Sequence, residues 1–74
     1  GLRAENQRLA PGASLQSHGH PDEFEQVMVL SGDFRDNQWD MRPGDYVYRR
    51  PGVAHTAAST RGAEVLVVFH KNKG

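Results

Sequence analysis

Three histidines and a glutamate in this chain are spaced so that they could hold one metal ion: His18-x-His20-x4-Glu25, and later His55. Imidazole nitrogens with a carboxylate oxygen, in a chain without cysteine, suit one divalent transition ion. Such a donor set admits Fe, Zn, Mn, Ni or Co, and affinity alone does not choose among them. On an octahedral ion these protein donors leave positions open for exchangeable water or a small-molecule ligand or substrate.

The elements that must position these groups follow from the spacing. His18 and His20 are two residues apart, so on an extended strand both imidazoles leave the same face, whereas a helix would splay them. Pro21-Asp22 is a turn signal, after which Glu25 leads into the apolar run Val27-Met28-Val29-Leu30. That run reads as a returning strand that turns the carboxylate toward the imidazoles. Arg50-Pro51-Gly52 is a second turn, and His55 then opens Thr56-Ala57-Ala58-Ser59, closing the site from a third strand.

Turn signals recur along the whole chain, at Pro11-Gly12, Ser31-Gly32-Asp33, Asp36-Asn37, Pro43-Gly44-Asp45 and Arg61-Gly62 besides the two above. The separations are too short for helices and predict an all-β sandwich or barrel. The expected strands are residues 5–9, 14–17, 24–30, 33–35, 38–41, 46–49, 55–60 and 64–70. Val65-Leu66-Val67-Val68-Phe69 shows no polar alternation and reads as a strand buried on both faces, at a homodimer interface. Residues 71–74 read as a solvated tail. By parity Gln16 and Val27 or Val29 line the cavity. Trp39, Tyr46 and Tyr48 read as core or interface aromatics, with Tyr48 also a candidate ligand contact. Arg49 and Arg50 read as a solvated pair on opposite strand faces, either able to meet a substrate carboxylate or enolate if it points into the barrel mouth.

Composition bounds the rest. Seventy-four residues make one domain, 1–74, and a chain of this size buries only about 60–65% of the surface its unfolded form exposes. With no disulfide to compensate, a bound metal and a dimer interface are the expected sources of extra stability. Nine basic and nine acidic residues balance to zero, with no basic cluster beyond Arg49-Arg50, which argues against nucleic acid. No apolar run approaches the roughly 20 residues of a membrane helix, and Gly1-Leu2-Arg3-Ala4-Glu5 lacks a signal peptide's apolar segment. The expectation is no membrane association and a cytoplasmic protein; Gly1 in place of methionine suggests a longer native chain.

The full pattern, Gly12-x5-His18-x-His20-x4-Glu25-x6-Gly32 followed by Gly44-x7-Gly52-x2-His55, resembles the two motifs of the cupins. The first motif matches throughout. In the second, Arg50 stands at the usual proline and Ser59 at the usual asparagine. Gly32-Asp33-Phe34-Arg35-Asp36, Pro43-Gly44-Asp45-Tyr46-Val47 and Arg50-Pro51-Gly52-Val53-Ala54-His55 are most similar to the ChrR type, the cupin domain of an anti-sigma factor, and to its small dioxygenase-like relatives. The resemblance spans roughly residues 8 to 70. It implies a small cupin β-barrel or jelly roll with one divalent metal on His18, His20, Glu25 and His55, and its spacing selects Glu25 over Glu23. Gln16, Tyr48, Arg50 and Ser59 are the residues expected near a ligand, and no catalytic residue is assigned. The implied activity is a mononuclear dioxygenase acting on a diketone or hydroxyaryl ketone. The alternative is a metal- or ligand-sensing module without turnover, and a sugar isomerase or epimerase is a more distant third.

Overall fold

A computed structural model describes residues 2–17, 22–37, 39–52 and 55–71, Ser17 through its backbone alone. Eight strands follow one another: β1 Leu2–Leu9, β2 Ser14–Ser17, β3 Glu23–Gly32, β4 Phe34–Asp36, β5 Trp39–Met41, β6 Tyr46–Arg49, β7 His55–Ala58 and β8 Ala63–Lys71. They form two four-stranded sheets, ordered β1-β8-β3-β6 and β2-β7-β4-β5, and every pairing is antiparallel. This is the all-β sandwich that the turn spacing predicts, in the jelly-roll form that the resemblance implies. Among the described residues no helix is long and apolar enough to cross a membrane.

Strand parity decides what lies between the sheets. Val27 and Val29 of β3 turn inward with Val65, Val67 and Phe69 of β8, and Phe34 and Met41 meet them from the second sheet. On β8 the alternation is strict: Ala63, Val65, Val67 and Phe69 are buried, while Glu64, Leu66, Val68 and His70 are half-buried. The expectation of a strand buried on both faces is therefore corrected within the chain. Its second apolar row lies on the outer face of the first sheet, beside Met28 and Tyr46, which register pairs with it. Tyr46 and Tyr48 are about half exposed on this face and Trp39 is 66% exposed, so none of the three fills the core. The row continues as ring stacking: Phe24 lies 5.6 Å from Tyr48 and 5.0 Å from His70, centroid to centroid. Lys71, expected in the tail, is the last residue of β8 and pairs with Glu23; residues 72–74 lie outside the described residues.

One end of the sandwich is tied shut. Gly32 has φ 82°, and a Cβ there would collide with the carbonyl oxygen of Gly62. Glycine is required where two backbones approach this closely. The next residue, Asp33, accepts hydrogen bonds from the backbone N–H of Thr60 (2.9 Å) and Arg61 (2.7 Å) and from the Ser59 hydroxyl (3.2 Å). The two backbone donors hold the Asp33 carboxyl below the ordinary aspartate value of 3.8. The β3–β4 corner and the β7–β8 loop are thereby latched together.

Candidate metal centre

The other end gathers buried ionisable side chains from both sheets. Glu25 stands near the start of β3, directly opposite Arg49 at the end of β6. Since cross-strand partners share a face, both side chains enter the interior with their neighbours Val27 and Val47. From the second sheet, Asp36 ends β4 and His55 opens β7, each buried. Arg49 Nη1 donates to Glu25 Oε1 at 2.5 Å, while Arg49 Nη2 pairs with Asp36 Oδ1. His55 Nε2 lies 3.6 Å from the same Glu25 Oε1. One guanidinium, 6% exposed, thus links carboxylates from both sheets, with Asp36 at 2%. The bridge brings two negative charges and one positive into the interior, an arrangement that persists only while all three partners are present.

A cleft of about 480 Å³ opens above this network. Its walls include Glu25, His55, Phe69, Gln16 and the inward row of β1, of which Arg3, Glu5 and Gln7 are polar. That row is cross-linked along the strand: Arg3 Nε donates to Glu5 and Nη1 to Glu23, and Gln7 donates to Glu5. Arg3 also lies over the Phe69 ring at 4.3 Å. The volume falls in the range of small-molecule sites, roughly 300–1,000 Å³.

Of the residues singled out in the sequence, the structure brings Glu25, His55 and Gln16 to this cleft. His18 and His20 lie outside the described residues. Tyr48 pairs with Gln26 on the outer face of the sheet, away from the cleft. Arg50 is exposed just past β6. Ser59 is at the latched end, where its hydroxyl donates to Asp33 and accepts from the N–H of Gly62 at 2.8 Å. Arg49 reverses the expectation of a solvated side chain, because its register with Glu25 turns it inward. Asp36 was not anticipated, although the alternation Phe34-Arg35-Asp36 carries the signal: in Phe34 and Asp36 the flanking residues are buried while Arg35 is exposed.

The donors described here fit a divalent ion. Two ligands each about 2.0–2.2 Å from one ion can be up to roughly 4 Å apart, and the His55–Glu25 separation lies inside that limit. Among the described residues no third histidine, aspartate or glutamate joins them in a metal-sized group, so further donors would have to come from residues 18–20.

The ChrR cupin-like domain model matches residues 6–73. The chain belongs to the ChrR cupin-like family. No curated protein matches it. Among solved structures, this cupin is similar to the cupin domain of an XRE family transcriptional regulator from Enterobacter cloacae, at 23% identity and TM-score 0.88, covering 97% of this chain and 83% of that one. At that identity the likeness shows the fold. A cupin sugar phosphate isomerase from Silicibacter pomeroyi is 28% identical, TM-score 0.84, with 96% of this chain and 51% of that chain covered. A predicted oxalate decarboxylase from Thermotoga maritima is 29% identical, TM-score 0.76, with coverage of 93% and 65%. This cupin therefore spans about half and two thirds of the length of those two proteins.

Proposed function

We propose that this cupin binds one divalent transition metal through His18, His20, Glu25 and His55 and takes a small oxygen-bearing ligand in the adjoining cleft. The observation that carries the reading is the convergence of His55 and Glu25, from opposite sheets, at the cleft. Phe69 and Val67 supply an apolar wall, and the cross-linked Arg3-Glu5-Gln7 row a polar one. A ligand there would be oriented by these side chains and partly shielded from water.

As an activity, we propose a dioxygenase-like oxidation of a diketone or hydroxyaryl ketone, the metal supplying the site at which ligand oxygens and O2 meet. This chain's residues hold the ligand against Phe69 and keep its polar end near the imidazole of His55, an orienting role that proximity makes effective. Metal analysis of tag-free protein, then O2 uptake by the anaerobically Fe(II)-loaded form across a ketone panel, tests it. Metal with no uptake on any substrate would remove the oxidation and leave the binding site. The second reading, a metal or ligand sensor without turnover, is favoured by the Arg49–Glu25 pair, which already engages the carboxylate that a metal would use. We further propose a cytoplasmic homodimer packed through the outer face of the first sheet, where Met28, Leu30, Tyr46 and Tyr48 are each 42–52% exposed.

A further inference from the structure

We propose that Arg49 is a built-in competitor for the carboxylate of the metal centre: guanidinium and divalent ion share Glu25, and the site holds its metal less tightly than the same ligands would without the arginine. This rests on the metal reading above and adds to it the exchange of the ion. The geometry is direct. Arg49 Nη1 touches the very oxygen, Glu25 Oε1, that faces His55 Nε2. An ion taking that oxygen at about 2.0–2.2 Å would lie within about 5 Å of Nη1. Two cations at that spacing repel strongly in an interior poor in water.

Neither of the usual escapes is open to the arginine. A guanidinium does not give up its proton in a protein. Nor can it swing into solvent without abandoning Asp36, which holds Nη2 from the opposite sheet and is itself buried. The negative charge that Glu25 would offer an ion is thus already compensated. Nothing in the three-histidine, one-glutamate pattern needs a buried cation at position 49, so its presence weighs on affinity. By reciprocity, an ion that wins Glu25 weakens the Arg49–Glu25 pair by the same factor and leaves the guanidinium to Asp36 alone.

The test is a competition titration with Zn(II) against a chromophoric chelator, read beside the Zn(II)-induced rise in melting temperature. The proteins are wild type, His55→Ala, Glu25→Gln, Arg49→Gln, Asp36→Asn and the Arg49→Gln/Asp36→Asn pair. Glutamine keeps an N–H for Glu25 without the charge, and the pair also removes the second buried carboxylate, so folding is preserved in at least one background. Arg49→Gln is expected to bind Zn(II) at least tenfold tighter than wild type, and the pair at least tenfold tighter than Asp36→Asn alone. Glu25→Gln should cost less than threefold in wild type but more than tenfold when added to Arg49→Gln. Unchanged or weaker binding on removing Arg49 in both backgrounds overturns the proposal, since the arginine would then only position Glu25. Wild type binding no more Zn(II) than His55→Ala overturns the metal reading itself and the proposal with it.

Discussion

Replacing Arg49 with methionine should be among the most damaging single changes available to this fold. Methionine roughly fills the space but leaves the Asp36 and Glu25 carboxylates facing an interior without their cation. Breaking a buried pair in this way costs about 3–5 kcal/mol, because the loss is the desolvation of the stranded charge and not only the missing attraction. A domain of this length has a total stability of about 4–11 kcal/mol, so the variant should be close to unfolding. For a domain this small each kcal/mol is about 4–8 °C, which places the fall in melting temperature on the order of 20 °C. Urea denaturation followed by circular dichroism would measure it. The companion variant Arg49→Met/Glu25→Gln/Asp36→Asn, with no charge left in the network, should regain at least half of the loss. A single variant that loses under about 1 kcal/mol, as an exposed ion pair would, refutes the buried-bridge account, and so does a triple variant less stable than the single.

Gly32→Ala should lose at least about 2–3 kcal/mol, since it adds a left-handed strain to a collision with Gly62; a thermal melt near that of wild type would contradict it. Asp33 has its folded pKa depressed, so its contribution is present above the ordinary value of 3.8 and is lost as pH falls through the folded value. Asp33→Asn should therefore weaken the protein at neutral pH and flatten the acid limb of its stability curve below about pH 4, as chemical denaturation across pH would show. Leu66→Glu, on the outer face, should dissociate the proposed dimer in sedimentation without unfolding it, whereas Val67→Glu should unfold the chain, because Val67 is in the core. Saturating metal at a thousandfold excess over Kd should add about 4 kcal/mol, reversed by chelation and weakened below about pH 6 as protons compete for imidazole.

The sheet architecture was legible because turn residues punctuate the chain at strand-length intervals, whereas the inward and outward rows of β8 were not, because Val65–Phe69 carries no polar alternation to tell them apart. What parity in one strand could not tell was which rows face each other. Arg49 looked like half of a solvated pair with Arg50 until its register with Glu25 put it inside. Asp36 looked like turn chemistry beside Asn37 until the second sheet brought it to the guanidinium. Ser59 sat at a position associated with ligand contact, yet its hydroxyl is spent on Asp33 and Gly62, a long-range pairing that no local pattern announces. Of the proposed metal donors, Glu25 and His55 meet across the sandwich at 3.6 Å, while His18 and His20 lie outside the described residues.

The latch at Gly32 and Asp33 ties the two sheets at one end, while the chain itself joins them at the other, where β2 leads to β3 and β6 leads to β7. Glu25 is seven residues from Gly32 along β3, which is about 23 Å of strand. At that distance from the latch, the Asp36–Arg49–Glu25 bridge is the polar cross-tie between the sheets beside the cleft. Without it, the meeting of Glu25 and His55 would rest on the strands that carry them.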